Sequence, residues 1–182
     1  ALIFGAFCLY ADRPTVQSIV GSNAVIQISV GGSNVQVVSG NGVIDGVKGS
    51  GKLVSETVEV PDTINKVKVS GAAFCKVVEG NESKVTVTTD DNVLEHVRRD
   101  VDKDTLSLHL DSNCYNCTLR YLLVSRKLPE SFKASGAVRL DINPSGKHHN
   151  KISIKSSGSS SVKVCKGKFR SFFAKVSGAA KV

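Results

Sequence analysis

With 182 residues, of which 41 % are hydrophobic and 22 % charged, the chain is long enough for one domain or two small ones and too apolar to be disordered throughout. It holds 27 valines but no methionine or tryptophan, and only 5 % of its residues are aromatic, which selects an all-β fold with a core of small β-branched groups. The net charge of +8 is segregated, because all 16 acidic residues lie at or before Asp141 whereas residues 142–182 carry nine basic ones.

Ala1 to Ala11 is apolar and small, and Asp12, Arg13 and Pro14 follow at once. The stretch reads as the apolar core and cleavage end of a truncated secretory signal. Eleven residues cannot span a bilayer as a helix, so no transmembrane segment is expected. Residues 12–48 carry short apolar runs, such as Val25-Ile26-Gln27-Ile28 and Val35-Gln36-Val37-Val38, broken by Gly31-Gly32 and Asn41-Gly42; these read as N-terminal strands with tight turns. From Lys52 the alternation sharpens. Thr57–Val60 stops at Pro61, Lys66–Val69 runs into Ser70-Gly71, and Lys84–Thr88 alternates strictly, each a strand with one buried face. Asp90-Asp91-Asn92 ahead of Val93, Leu94, Val97 and Val101 has helical spacing behind an N-cap signature and predicts one short helix over 91–101. Asp100-Val101-Asp102-Lys103-Asp104 lacks the glycine and the terminal glutamate of a calcium loop and reads as a polar turn into the next strand. Strands resume at 106–110, 119–124, 138–142, 152–154 and 162–164.

Ser-Gly-Ala punctuates this pattern at Ser70, Ser135 and Ser177, with a Ser-Gly-Ser variant at Ser157. The last three begin about 20 residues apart, the length of one coil of a parallel β-helix or β-solenoid, in which each coil buries what its neighbour cannot bury alone. Residues 49–182 are read as that solenoid domain. The repeat opening at Ser177 stops at Val182, so the domain is read as C-terminally incomplete. Gly49-Ser50-Gly51-Lys52, Val67 to Ala73, Thr89 to Val97, Asp104 to Leu108 and Ala134 to Ala137, in that order, resemble the putative auto-transporter adhesin, head GIN domain family. The resemblance implies a bacterial, secreted or surface-attached β-helical domain with an adhesive role and brings no catalytic residues.

The basic end is the main binding candidate. Lys151, Lys155, Lys163, Lys166, Lys168, Arg170, Lys175 and Lys181 form the expected basic face. Lys155, Lys163, Lys175 and Lys181 are expected to stack outward while Ile154, Val162, Val164 and Val176 point in. Such a face attracts acidic polysaccharide or another surface polyanion. Nucleic acid is not expected, since Phe169, Phe172 and Phe173 are read as core rather than as base-stacking platforms. The same lysines, with no ligand, would keep a sheet edge soluble. Cys75, Cys114, Cys117 and Cys165 are an even set that allows three disulfide pairings, in keeping with export. The Cys114–Cys117 spacing lacks a second close pair for zinc, although His109, His148 and His149 carry ring nitrogens. No metal, cofactor or catalytic motif is expected. Two further readings stay open: a carbohydrate-active enzyme on the same scaffold, drawing on Asp111, Asp141 or a histidine, and a self-assembling surface module.

Overall fold

The computed structural model describes residues 24–30, 33–39, 46–145, 148–165 and 167–182. The chain divides into two units, ending and beginning at Asp45 and Gly46. The first contains the antiparallel pair β1 (Ala24–Val30) and β2 (Ser33–Ser39), with Ile26 in register with Val37. The apolar first eleven residues lie outside the described residues.

The second unit is all-β. Its strands are β3 (Val47–Lys48), β4 (Leu53–Glu59), β5 (Lys66–Glu79), β6 (Lys84–Asp90), β7 (Val97–Asp102) and β8 (Thr105–Leu110), followed by β9 (Cys114–Tyr115), β10 (Leu119–Ser125), β11 (Ser131–Asn143), β12 (His148–Gly158), β13 (Ser161–Val164) and β14 (Lys168–Val176). Apart from the small β3–β9 pair, they form one mixed, ten-stranded sheet that does not close. Antiparallel pairs (β4–β6, β6–β10, β7–β8) occupy one end, and parallel ladders run from β8 and β10 through β5, β11, β12 and β13 to β14.

The long strands β5 and β11 are each bent at the glycine of a Ser-Gly-Ala. Before the bend β5 buries Val67 and Val69, and after it Ala73, Cys75 and Val77. β11 repeats this with Phe132 and Ala134, then Val138, Leu140 and Ile142. Alternation with period two puts these residues on one side of the strand, and the bend folds both halves around the same apolar interior. Ile152, Ile154 and Val162 add the next layer on one side, and Leu106, Leu108, Tyr121 and Leu123 the next on the other.

The bends coincide in space. Gly71, Gly136, Gly158 and Gly178 all have positive φ (96°, 92°, 79° and 75°), Gly136 pairs with both Gly71 and Gly158, and Gly178 abuts Gly158. Layers follow sequence at the steps β11 to β12 to β14. Between β5 and β11, however, the chain makes a detour in which β8 and β10 stack on the opposite side of β5.

The helix predicted over 91–101 is replaced by a single 3-10 turn, Leu94–His96, and the strand β7. The polar side chains read as an N-cap are engaged elsewhere. Asp90 Oδ1 accepts the Gly51 amide (2.6 Å), Asp91 the Ser50 hydroxyl (2.6 Å) and Asn92 Oδ1 the Ser50 amide (3.0 Å). Val97 and Val101 then pair with Leu110 and Leu106 across the turn at Lys103-Asp104, which is the polar turn read from the sequence. Cross-strand burial overrides the local helical spacing.

At the far end of β5, Glu79 joins the layers. Its carboxylate, 9 % exposed, accepts the Ser145 amide at 2.7 Å and lies 3.4 Å from His149 Nε2 on β12. Burial raises its pKa, but the Ser145 hydrogen bonds and His149 outweigh that and hold the carboxyl below its ordinary value. A depressed carboxyl contributes stability that is complete above the unfolded-state value, about 4.3 for Glu, and is lost as pH falls through the folded-state value. Urea unfolding should therefore show stability declining below about pH 4, and Glu79→Gln should flatten that decline. An identical decline in E79Q would remove Glu79 as its source.

Candidate functional site

The first half of the parallel stack has a polar outer face. Lys68 on β5 pairs with Lys133 on β11, Lys133 with Lys155 on β12, and Lys155 with Lys175 on β14. The first three are exposed between buried neighbours: Val67 and Val69, Phe132 and Ala134, Ile154 and Ser156. Alternation sends these side chains outward from adjacent strands whose backbones lie about 4.8 Å apart. Among the described residues no ion pair includes any of the four. Serines flank the row on both sides: Ser131 and Ser153 two residues before, Ser70, Ser135 and Ser157 two residues after. At the β8 end the register continues through Ser107 to Asp100 of β7, so the row runs from one acidic residue to four basic ones.

This row only partly coincides with the face read from the sequence. Lys155 and Lys175 belong to it, and Lys151, on the same strand four residues before Lys155, is exposed and pairs with Ser171. Lys163 lies past the bend on β13, paired with Asp141, and Lys181 bridges Ser161. These two stack in the other half of the layer, so the four-lysine stack expected of Lys155, Lys163, Lys175 and Lys181 is split in two. Lys168 and Arg170 are exposed on the edge strand β14, and Lys166 lies outside the described residues. Lys68 and Lys133 lie outside the C-terminal segment to which the excess positive charge is confined, so charge segregation does not point to them. The signal was present nonetheless, since each sits two residues before a Ser-Gly-Ala serine, as Lys155 does before Ser157 and Lys175 before Ser177.

Two phenylalanines read as core are half exposed, Phe172 at 52 % and Phe173 at 51 %. Phe172 stands in register with buried Ile152, on the core side of an edge strand. Phe173 stands in register with Ser153, on the same outer face as the lysine row. Val176, expected inside, is 43 % exposed for the reason that applies to Phe172: among the described residues β14 pairs only with β12, and no other described strand lies beyond it.

A concavity of about 530 Å³ lies at the Ser70-Gly71-Ala72 bend and is lined also by His109, Cys114, Tyr115 and Cys117. Burial raises the pKa of both thiols, with the neighbouring Cys117 adding to the shift at Cys114 and Asp90 at Cys117. Thiols shifted in that direction stay protonated near neutral pH and are poor nucleophiles. No group of three His, Cys, Asp or Glu side chains able to hold a metal is found among the described residues. Of the cysteines among which the sequence allowed disulfides, Cys75, Cys114, Cys117 and Cys165 carry free thiols in this structure. Cys75 is fully buried, which pushes its pKa up to about 12. The carboxylates weighed as catalytic are engaged separately, Asp111 by Arg98, His96 and Ser112, and Asp141 beside Arg139 between Lys76 and Lys163.

The stacked parallel ladders, bent in register at their glycines, make an all-β scaffold with a polar outer face. Residues 63–182 match the family described as putative auto-transporter adhesin, head GIN domain, and the chain belongs to that family. The fold is shared with a crystal structure of a putative adhesin from Parabacteroides merdae (21 % identity, TM-score 0.68), covering 75 % of this chain and 57 % of that one. It is shared also with a putative adhesin from Bacteroides fragilis (17 %, TM-score 0.67; 74 % and 63 % covered) and a putative lipid binding protein from Parabacteroides distasonis (16 %, TM-score 0.54; 72 % and 61 % covered). The chain thus spans about six tenths of the length of these structures. No curated protein matches it. Among the described residues no helix is long and apolar enough to cross a membrane.

Proposed function

We propose that this chain is a secreted or cell-surface adhesion domain, built as a β-solenoid-type stack, that binds acidic polysaccharide through the row Lys68, Lys133, Lys155 and Lys175. Membership of the adhesin-head family and the fold shared with adhesin structures support the surface role. The observation that carries the ligand is the row itself. Four in-register lysines with no ion-pair partner among the described residues bear mutual repulsion, at about 0.2–1 kcal/mol for like charges directly opposed, which a polyanion laid over them relieves. A non-catalytic role is supported by membership of the adhesin-head family and by Asp111 and Asp141 having separate neighbours, Arg98 and His96 for the first and Arg139 for the second. The role is mechanical: the paired strands hold the four lysine positions in register before binding, so the ordering cost is confined to the side chains.

Retention on immobilised acidic and neutral polysaccharides, at low and physiological salt, tests this. The protein should be held by acidic matrices only and released as salt screens the exposed charges beyond about 8 Å. Replacing Lys133, which stands between Lys68 and Lys155, should weaken retention while leaving stability unchanged or raised by up to about 1 kcal/mol. Retention by Lys133→Gln equal to that of the parent would rule out the row as the binding surface.

The uncovered core side of β14 favours a second reading, edge pairing with another copy of the chain. Light-scattering mass that stays monomeric across a wide concentration range would exclude it.

A further inference from the structure

Resting on that reading, we infer a narrower ligand: a linear polyuronate with one carboxylate on every sugar residue, lying across the strands along the lysine row, with one ring stacked on Phe173. Three observations on one face carry it. The first is spacing. Cations recur at each strand, about 4.8 Å apart, so four of them span about 14 Å across the sheet. A step of that size is comparable to one pyranose unit, so a chain charged on every residue can pair with successive lysines. A chain charged on alternate residues meets every second lysine and leaves the others opposed to each other.

The second observation is hydroxyls. Ser131 and Ser153 on one side of the row, and Ser70, Ser135 and Ser157 on the other, are half-buried and stand in register. They form two lines of donors and acceptors for sugar hydroxyls beside the charges. The third is Phe173, half exposed on this otherwise polar face, two residues from Lys175 and in register with Ser153. An aromatic face in that place suits the apolar side of a sugar ring and does nothing for a ringless polyanion. Asp100 closes the β7 end of the row and repels an anionic chain there, which biases the ligand toward the β14 end, where Phe173 lies.

The test is calorimetric titration of the intact chain at low salt with length-matched oligogalacturonate, hyaluronan oligosaccharide and inorganic polyphosphate. The parent, Phe173→Ala, Lys133→Gln and, as an off-row control, Lys163→Gln are compared. All three positions are exposed, and thermal melts confirm that each variant is folded. Oligogalacturonate should bind about tenfold or more tighter than hyaluronan of equal length, a difference of about 1.4 kcal/mol. F173A should weaken oligogalacturonate roughly two- to tenfold and leave polyphosphate unchanged. K133Q should weaken all three, and K163Q none. Equal affinity for oligogalacturonate and hyaluronan, or an F173A variant that binds oligogalacturonate like the parent, would overturn the polyuronate assignment while K133Q still upholds the row. Absence of salt-sensitive binding to every polyanion, or binding indifferent to K133Q, would remove the row as a site and this assignment with it.

Discussion

Gly136→Ala is expected to destabilise the domain by about 3 kcal/mol or more, and Gly71→Ala by only about 1–2 kcal/mol. The two glycines stand in register at the same bend and have nearly the same φ, 92° and 96°. Either alanine therefore takes on left-handed backbone strain of roughly the same size. They differ in what lies beneath. A Cβ on Gly136 would sit 2.6 Å from the Gly71 carbonyl oxygen and 3.3 Å from the Gly71 nitrogen, whereas a Cβ on Gly71 meets nothing within 4 Å. The obstacle at Gly136 is backbone held in the adjoining layer, so it cannot swing aside as a side-chain tip would, and relief requires the two layers to part. Urea unfolding of both variants measures the difference, and Gly136→Ala should also lower the thermal midpoint by about 10 °C. Equal losses for the two would mean that φ strain alone sets the cost and that the close stacking of the bends contributes nothing.

The second large effect is at Asp90. Its carboxylate is 2 % exposed and accepts the Gly51 amide at 2.6 Å and the Thr118 amide at 2.7 Å. One side chain at the end of β6 thus fastens both the entry to β4 and the entry to β10. Asp90→Ala removes the acceptor of two N–H groups and opens a void, and each buried donor left unsatisfied costs about 1–3 kcal/mol. The expected loss is about 3 kcal/mol, and the Gly51 and Thr118 amides should exchange hydrogen faster than the rest of their strands. Asp90→Asn keeps one acceptor in a group of the same shape, and its loss should be about half as large. A D90A variant within about 0.5 kcal/mol of the parent would show that water satisfies these amides as well as the carboxylate does.

Several of these positions were legible in the chain and several were not. Apolar patterning, strictly alternating at 84–88, marked 66–69, 84–88, 106–110, 119–124 and 138–142 as strands, and all fall within strands of the structure. Their valine- and leucine-rich faces are buried, because period-two patterning is a local property that burial of one face converts directly into structure. The Ser-Gly-Ala motifs, read from the sequence as repeat marks, fall at the bends, because positive φ is a demand on a single residue that glycine meets at no steric cost. The Asp90-Asp91-Asn92 triplet was misread because a capping oxygen can serve any nearby N–H, and the loop 48–52, some forty residues earlier in sequence, supplied the competing partners.

By itself, then, the sequence determined the all-β class, the positions of most strands, the bends and the gathering of positive charge toward the C-terminus. The tertiary structure decided which strands lie side by side. The step from β5 to β11 joins Ser70 to Ser135 across an excursion that stacks β8 and β10 on the other side of β5, and no local periodicity encodes a partner that far along the chain. That one step brings Lys68 and Lys133 into register with Lys155 and Lys175 and sends Lys163 and Lys181 to a different part of the layer. Charge composition can show that lysines are abundant, but a cationic row exists only when parallel pairing places equivalent positions of successive strands about 4.8 Å apart.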